Sequence, residues 1–231
     1  MADPVVDIEG LRFAWGKGPP VLGIEQFTLG AGERVFLRGP SGSGKSTLLG
    51  LIAGVLAPQA GRINVLGEDM TRLPAARRDR LRADRMGVIF QMFNLVPYLS
   101  VTGNVLLPLR FSAARRKAAG SDPQAEARRL LARLGLDDEA LLTRRVSDLS
   151  VGQQQRVAAA RALIGAPSLV IADEPTSALD ADARDRFISL LSEEAERSGA
   201  SLLFVSHDAS LAHLFSRAVD LAAINTPQVA A

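Results

Sequence analysis

Cysteine is absent from this sequence of 231 residues, which excludes disulfides, thiol catalysis and cysteine-ligated metals. Histidine occurs only as His207 and His213, too few for a metal centre built from several histidines. The charges lack an excess of one sign, because 27 basic and 25 acidic residues give a net charge of +2. That balance argues against a dedicated nucleic-acid binder, whose affinity depends on many unopposed cations.

Long apolar segments are missing as well. The most apolar candidate, residues 48–57, contains two glycines and falls far short of the ~20 residues that cross a bilayer. The N-terminus has neither the basic start nor the apolar stretch of a signal peptide. We therefore expect a soluble chain that reaches a membrane only through a partner.

The composition is that of an ordinary globular protein, with 47% apolar and 23% charged residues. Apolar runs and alternation predict strands at residues 5–15, 26–29, 34–38, 62–66, 86–90, 169–172 and 201–205. Helical spacing predicts helices at residues 45–53, 74–85, 180–198 and 209–215. Strands that alternate with helices favour an α/β fold with a largely parallel core sheet. The helix-rich stretch 93–160 is expected to form an inserted helical subdomain.

A glycine-rich segment between the predicted strand 34–38 and the predicted helix 45–53 matches the phosphate-binding P-loop pattern. Glycines let the backbone curl so that several N–H groups point at phosphate oxygens, and the following helix presents its positive end to the same anion. Lys45 is expected to contact the β- and γ-phosphates, and the Ser46 hydroxyl to coordinate Mg²⁺. The predicted nucleotide-binding residues here are Gly39, Pro40, Ser41, Gly42, Ser43, Gly44, Lys45, Ser46 and Thr47.

Two carboxylates, Asp173 and Glu174, follow the apolar run 169–172 directly. Parallel α/β sheets bind ligands at the carboxyl ends of their strands, so these side chains belong near the P-loop. Asp173 is expected to hold Mg²⁺ through water. Glu174 is expected to orient or deprotonate the water that attacks the γ-phosphate. Without the P-loop, an acid after a strand would be an ordinary loop start.

Further segments, in the order of one family, resemble the motifs of ATP-binding cassette (ABC) ATPases. Residues 149–156, LSVGQQQR, resemble the family's signature motif, and residues 177–180, SALD, resemble its D-loop. Gln91 resembles the Q-loop glutamine, His207 the switch histidine, and Trp15 the aromatic residue that stacks on adenine. The resemblance covers essentially the whole chain.

The resemblance implies a P-loop NTPase (RecA-like) core with an N-terminal antiparallel β region and an inserted helical subdomain. A single nucleotide-binding domain, 1–231, would have its ATP-binding core in residues 1–91 and 161–231 and its helical subdomain in residues 92–160. Gln91 would join Ser46 and Asp173 as a Mg²⁺ ligand and, with Glu174 and His207, would serve hydrolysis. The nucleotide-binding set would also include Trp15, Ser150, Val151, Gly152, Gln153 and Asp180.

The signature motif implies a head-to-tail homodimer. Ser150 and the N–H groups of Val151 and Gly152 open a second helix, and such a helix end suits an anion. In the family this end serves the ATP held by the opposite subunit, so two ATP molecules lie between two copies. Ser150 is also expected to act as an ordinary helix cap. Val151 departs from the family's usual glycine, and its side chain must point away from the nucleotide.

Two other residues have structural alternatives. Trp15 is either the adenine platform or a core residue, and the family more often has tyrosine at this position. His207 is either the γ-phosphate contact or a surface histidine. His213 has no such context and is expected to be structural.

Residues 85–97 and 104–109 resemble cassettes of the lipoprotein-releasing and macrolide-exporting branch. That branch implies a membrane permease subunit as partner, gripped by the residues after Gln91, with a periplasmic adaptor as a further candidate. It implies a location at the cytoplasmic face of the inner membrane. The arginine-rich helix 72–85 is expected to be a solvated surface helix rather than a contact for anionic headgroups.

Three alternatives to an exporter ATPase stay open at this stage. The chain could be an importer ATPase, or an ATP-gated regulatory module of a membrane or cell-wall complex. A soluble cassette acting on DNA or ribosomes is disfavoured, because the sequence lacks a long coiled-coil insertion, a tandem cassette and a basic excess.

Overall fold

The structure is a computed structural model that describes residues 3–176 and 179–227. Its strands are β1 (Val6–Ala14), β2 (Pro20–Leu29), β3 (Arg34–Arg38), β4 (Ala60–Val65), β5 (Glu68–Asp69), β6 (Met86–Ile89), β7 (Leu169–Asp173), β8 (Ser201–Ser206) and β9 (Arg217–Asp220). Its helices are α1 (Lys45–Ile52), α2 (Ala75–Arg85), α3 (Val101–Leu106), α4 (Pro108–Phe111), α5 (Ala113–Ala118), α6 (Pro123–Arg133), α7 (Glu139–Leu142), α8 (Val151–Leu163), α9 (Ala181–Arg197) and α10 (Leu221–Ile224). Two 3₁₀ helices span Val146–Asp148 and Ala209–Leu214.

Residues 3–82 and 201–227 form one compact unit with two sheets. An antiparallel sheet has the order β2-β1-β4-β5, and Ile8 pairs with Phe27 on one side and Ile63 on the other. Parallel strands β8, β3 and β9 form the second, with Phe36 opposite Phe204. The fully buried Phe36 ring lies 5.4 Å from the ring of Phe215, so aromatic packing fills the core beside β3.

Strand β1 contains an irregularity that only glycine accommodates. Gly10 has φ +56°, and the register against β4 shifts between Glu9 and Arg12. A Cβ on Gly61 would lie 2.4 Å from the Gly10 carbonyl oxygen, so the two backbones approach too closely for a side chain. The bulge keeps Leu11 and Phe13 buried after the break, as Val6 and Ile8 are before it.

Residues 83–200 form the second compact unit. Strands β6 and β7 pair in parallel, and helix α8 packs directly on β6. A Cβ on Gly87 would lie 2.2 Å from the carbonyl oxygen of Ala162, so this approach requires glycine in β6. The fully buried Leu131 and Val157 belong to the core that α6 and α8 share with α3.

An ion-pair cluster joins α6 to α9 within this second unit. The Glu194 carboxylate, 2% exposed, pairs with Arg129 at 3.0 Å, Arg133 at 3.3 Å and Arg197 at 3.0 Å. Burial raises the pKa of Glu194, but hydrogen bonds from Arg129 and Arg197 outweigh that effect, so its pKa lies below the usual value. The cluster therefore holds a buried carboxylate in its charged form.

The predicted α/β class is confirmed, and the sheets are both antiparallel and parallel. The prediction of a strand limited to 26–29 was wrong, because β2 already begins at Pro20. Gly23 resembles a strand breaker, yet it is required there: a Cβ would lie 2.5 Å from the Thr226 carbonyl oxygen. Strand β9 was not predicted from the sequence because it is short and polar. Its last residue, Asp220, forms an ion pair with Arg38 at 2.9 Å.

Two helical predictions also needed correction. Residues 209–214 form a 3₁₀ helix rather than an α-helix, with Asp208 capping its first turn through Ser210 N–H at 3.0 Å. Helix α8 continues to Leu163, beyond the predicted end of the helix-rich stretch. Across residues 3–176 and 179–227, no helix combines the length and the apolar character that crossing a membrane requires.

Candidate nucleotide site

The glycine-rich loop connects β3 directly to α1. Gly42 and Gly44 have φ of +78° and +96°, a region that L-residues rarely adopt. A Cβ on Gly44 would also lie 2.8 Å from Cδ2 of Leu22. Because the conformation and the space both require glycine, the P-loop pattern found in the sequence is built as a curled anion cradle.

Lys45, the first residue of α1, is 8% exposed and fixed against its own loop. Its Nζ donates to the carbonyl oxygens of Gly39 at 2.8 Å and Pro40 at 3.0 Å. No side chain caps the N-terminus of α1, so its N–H groups are directed at whatever the cradle holds. Ser46 is exposed and Thr47 is half-buried on the same first turn.

His207 lies at the same sheet edge as the start of the cradle. Strands β3 and β8 run parallel in a register that places Arg38 opposite Ser206. The next residues, Gly39 and His207, therefore leave the sheet side by side, and His207 is exposed there. His213 is also exposed, and its Nδ1 contacts the Ser210 carbonyl oxygen at 2.6 Å.

Trp15 follows β1 and is 56% exposed, so it is not a core residue. Its ring meets the buried Phe13 edge-on, with centroids 5.1 Å apart and planes at 89°. An exposed indole that packs against a buried ring is suited to stack on a planar base.

In the second unit, Asp173 ends β7 and Glu174 follows it, at the edge where Gln91 follows β6. The register pairs Ile89 with Ala172, so both chains leave the sheet at the same level. Gln91 is exposed, whereas Glu174 is 9% exposed and has φ +47°. A left-handed backbone is strained at any residue other than glycine, and such strain concentrates at functional sites. Glu174 combines this strained backbone with a buried carboxylate.

The signature segment forms the start of α8. Ser150 Oγ accepts from Gln153 N–H at 3.3 Å, and Gln153 Oε1 accepts from Ser150 N–H at 3.0 Å, which is a complete capping box. The expected capping role of Ser150 is therefore confirmed. Val151 is half-exposed, and Gly152 faces Leu179, whose Cδ2 would lie 3.4 Å from a Cβ at position 152.

Asp180 caps helix α9, because its carboxylate accepts from Ala183 N–H at 2.8 Å. The contact between Gly152 and Leu179 brings the D-loop segment next to the signature helix. Two residues of that segment, Ser177 and Ala178, lie outside the described residues.

The sequence motifs thus fall into two groups, one in each compact unit. The first unit contains Trp15, the cradle of residues 39–47 and His207. The second contains Gln91, Asp173 and Glu174 at one strand edge, and residues 150–153 and Asp180 at helix starts. Comparison with known proteins decides what this set of motifs represents. The sequence description of the ABC transporter family matches residues 23–177.

The chain belongs to this family. As an ABC cassette it binds and hydrolyses ATP. It is 45% identical over 224 residues to the lipoprotein-releasing system ATP-binding protein LolD of Anaeromyxobacter dehalogenans, covering 96% of this chain and 92% of the relative. It is 37% identical to the macrolide export ATP-binding/permease protein MacB of Rhodopseudomonas palustris, of which it spans 33%.

Solved structures agree with the sequence relatives. The dimeric bacterial ABC transporter cassette MJ0796 matches with a TM-score of 0.82 and 32% identity, covering 93% of both chains. The same cassette in a dimeric post-hydrolysis state, bound to ADP and Pi, matches with a TM-score of 0.81 and 33% identity. These matches show that this ABC cassette has the P-loop NTPase fold. Both matched structures are dimers.

One residue that no motif predicted, Asn225, supports the cassette's cradle from outside. The Asn225 side chain donates to the carbonyl oxygens of Val21 at 3.0 Å and Ser43 at 3.4 Å, and accepts from Gly23 N–H at 2.7 Å. These bonds tie the P-loop to β2. A lone asparagine near the C-terminus carries no motif, so no sequence signal could have identified it.

Proposed function

We propose that this cassette is the energy-coupling subunit of an exporter or extractor of lipid, lipoprotein or small molecules. The cradle is the observation that supports nucleotide binding. Gly42 and Gly44 adopt a left-handed backbone conformation there, just before the uncapped start of helix α1. The N–H groups of residues 39–47 bind the phosphates, and Lys45 exchanges its carbonyl contacts for phosphate oxygens. Trp15 stacks on the adenine.

The residues assigned to the metal fit Mg²⁺ chemically. Ser46 offers a hydroxyl oxygen, Gln91 an amide oxygen and Asp173 a carboxylate oxygen, and Mg²⁺ prefers such hard oxygen donors. When bound, Mg²⁺ neutralises charge that develops on the phosphates. Ser46 and Gln91 are both exposed residues.

Glu174 is assigned the role of general base. Its carboxylate is held by a strained backbone, which fixes its direction for the attacking water. His207 contacts the γ-phosphate and keeps that water in place, and Gln91 links the same position to the metal. Asp180, as the cap of α9, positions the segment after Glu174.

The second helix start supports a composite site. Ser150, Val151, Gly152 and Gln153 form the capped start of α8, which presents N–H groups and a positive helix end to an anion. In the proposed head-to-tail homodimer these residues contact the ATP held by the partner's cradle. The dimeric form of MJ0796 supports this arrangement.

The membrane partner is inferred from the relatives and from exposed apolar residues. LolD belongs to a lipoprotein-releasing system and MacB is an ATP-binding/permease protein, which supports a permease partner and the export branch. Met92, directly after Gln91, is 81% exposed, and Tyr98 is 75% exposed. These residues would contact the permease at the cytoplasmic face of the inner membrane, and a periplasmic adaptor would extend the complex.

A second candidate is an ATP-gated regulatory module, in which closure matters more than turnover. Val151 is the observation that favours it, because a half-exposed β-branched residue replaces the family's glycine at the helix start. Reconstitution with the permease separates the two candidates. A transporter requires hydrolysis for each cargo release, whereas a gated module responds to ATP binding alone.

Glu174→Gln tests the catalytic assignment. We expect ATP binding to stay within about twofold of wild type while turnover falls by about 10² or more, because a neutral amide cannot accept the proton. Binding is measured by the fluorescence of Trp15, the sole tryptophan. Glu68→Gln, on the short strand β5, is the matched control and should hydrolyse ATP normally. Undiminished hydrolysis by Glu174→Gln would remove this residue from the role of base.

A further inference from the structure

A cavity of about 590 Å³ lies between helices of the second unit. It is lined by residues of α3, α4, α5, α6 and α7 and of the loops next to them. Its volume falls within the range of small-molecule pockets, which preferentially form between packed helices. None of the residues assigned to the nucleotide lines it, so it is a separate site.

The cavity has an apolar floor. Leu106, Leu109 and Leu142 line it, and Leu109 and Leu142 are largely buried. No aromatic side chain is found among the described lining residues, so the cavity offers no platform for stacking a nucleobase. The surface therefore suits a flexible aliphatic group.

The rim carries an excess of positive charge. Three arginines, Arg110, Arg116 and Arg128, face one carboxylate, Glu139, which leaves two positive charges uncompensated. The Arg116 guanidinium is anchored at the wall, because its Nε and one terminal nitrogen donate to the Leu109 carbonyl oxygen at 3.0 and 2.7 Å.

The other two rim arginines have no structural task in the described part of the chain. Neither the Arg110 guanidinium nor the Arg128 guanidinium makes a hydrogen bond or ion pair with a described residue. The neighbouring Arg129 differs, because it pairs with Glu126 at 2.7 Å and with Glu194 at 3.0 Å. Of these two adjacent arginines on α6, Arg129 forms ion pairs that stabilise the fold, whereas Arg128 lines the cavity.

We propose that this cavity binds an amphiphilic phosphate, a phosphomonoester that carries a short aliphatic chain. Guanidinium groups match phosphate oxygens in bidentate geometry, and the two uncompensated charges match a dianion. The leucine floor takes the chain and removes its surface from water. A soluble organophosphate and the headgroup region of an anionic lipid share this chemistry.

Calorimetric titration with hexyl phosphate tests the proposal directly. The chain is first saturated with ADP and Mg²⁺, which fills the P-loop and prevents the probe from binding there. Hexyl phosphate should bind about tenfold more tightly than inorganic phosphate, because only the ester reaches the leucine floor. Equal affinity for the two probes, or no binding of either, would overturn the proposal.

A charge-matched pair of double variants locates the binding. Arg110→Gln with Arg128→Gln should weaken hexyl phosphate binding by about tenfold or more, because both unpaired guanidinium groups are lost. Arg77→Gln with Arg186→Gln removes the same charge from α2 and α9, which do not line the cavity, and should bind like wild type. Equal weakening by both pairs would show nonspecific attraction and overturn the site.

Vesicle sedimentation distinguishes the two sources. Phosphatidylcholine vesicles with about three tenths phosphatidic acid are compared with pure phosphatidylcholine. Arginine-dependent binding to the acidic vesicles supports the lipid source, and binding restricted to hexyl phosphate supports a soluble organophosphate. If the rim variant binds hexyl phosphate normally but no longer assembles with the permease, the cavity is a protein contact and the proposal is wrong.

Discussion

Val151 stands where the resemblance to the ABC signature motif implies a glycine, and it lies where the partner's nucleotide is proposed to bind. It is the first residue of α8 and is half-exposed. A β-branched side chain beside the N–H groups restricts how closely a phosphate can approach, and donor distance sets how strongly charge is stabilised.

Val151→Gly is therefore expected to raise the ATPase kcat by about threefold. Glycine near a helix start also costs up to about 1 kcal/mol of helix stability, so the melting temperature should fall slightly. Steady-state kinetics and thermal unfolding measure the two effects. Val151→Ala, which keeps Cβ but removes both methyl groups, is the control. An unchanged kcat in both variants would show that position 151 does not limit turnover.

Among the structural elements, α8 depends on one buried cation at its C-terminal end. The Arg115 guanidinium, 4% exposed on the whole residue, donates to the carbonyl oxygens of Ala162 at 2.6 Å, Ile164 at 2.8 Å and Met86 at 3.2 Å. Burial lowers the pKa of Arg115 to about 10, so the group remains charged at neutral pH. The carbonyl acceptors compensate for the lost hydration and join α5, α8 and β6.

Arg115→Met should lower the free energy of unfolding by about 3 kcal/mol, because it leaves buried carbonyl groups without a donor. Urea denaturation measures the loss. Lys117→Met, on the exposed face of the same short helix α5, is the matched control and should stay within about 0.5 kcal/mol of wild type. Equal stability of the two variants would contradict a clamping role for Arg115.

The ion-pair cluster that joins α6 to α9 predicts that the stability of the fold depends on pH. The pKa of Glu194 is lowered in the folded chain, so its contribution to stability is complete above the usual glutamate pKa of 4.5. It is lost as the pH falls through the lowered folded-state pKa. Removing the buried carboxylate also takes one ion-pair partner from each of Arg129, Arg133 and Arg197.

Glu194→Gln should therefore destabilise the chain at pH 7 and flatten the fall in stability below pH 4.5. Melting temperatures measured between neutral and acidic pH provide the comparison. Glu193→Gln removes only the more exposed pair with Arg133 and should retain the wild-type pH profile. A wild-type profile in Glu194→Gln would show that other carboxylates control acid unfolding.

At the scale of the whole molecule, the central prediction concerns two copies. If each site combines one copy's cradle with the other copy's signature helix, Lys45→Ala and Ser150→Arg are each inactive for different reasons. Mixing them creates heterodimers in which one site has both wild-type halves. The mixture should recover up to about a quarter of the wild-type ATPase rate.

A double variant that carries both substitutions in one chain is the control for that mixture. It leaves every site defective and should stay inactive at any mixing ratio. If the mixture of single variants is equally inactive although heterodimers form, or if a monomeric chain hydrolyses ATP at the full rate, the composite site is refuted.

The motifs and the α/β class are predictable from local sequence patterns alone, and the motifs together identify the family. The P-loop pattern, the acids after residues 169–172 and the capping residues of α8 and α9 are local signals, because neighbouring residues fix those turns and helix starts. These signals suffice for an ABC cassette, and the family match over residues 23–177 agrees.

The tertiary structure decided what depends on residues distant in sequence. Gly23 belongs to a strand because residues 225 and 226 pack against it, and β9 exists because it pairs with β3. The exposure of Trp15, the strain at Glu174 and the arginine rim of the cavity arise only when separate segments meet. Local sequence patterns do not predict such contacts, because burial and strand pairing depend on how distant segments of the chain pack together.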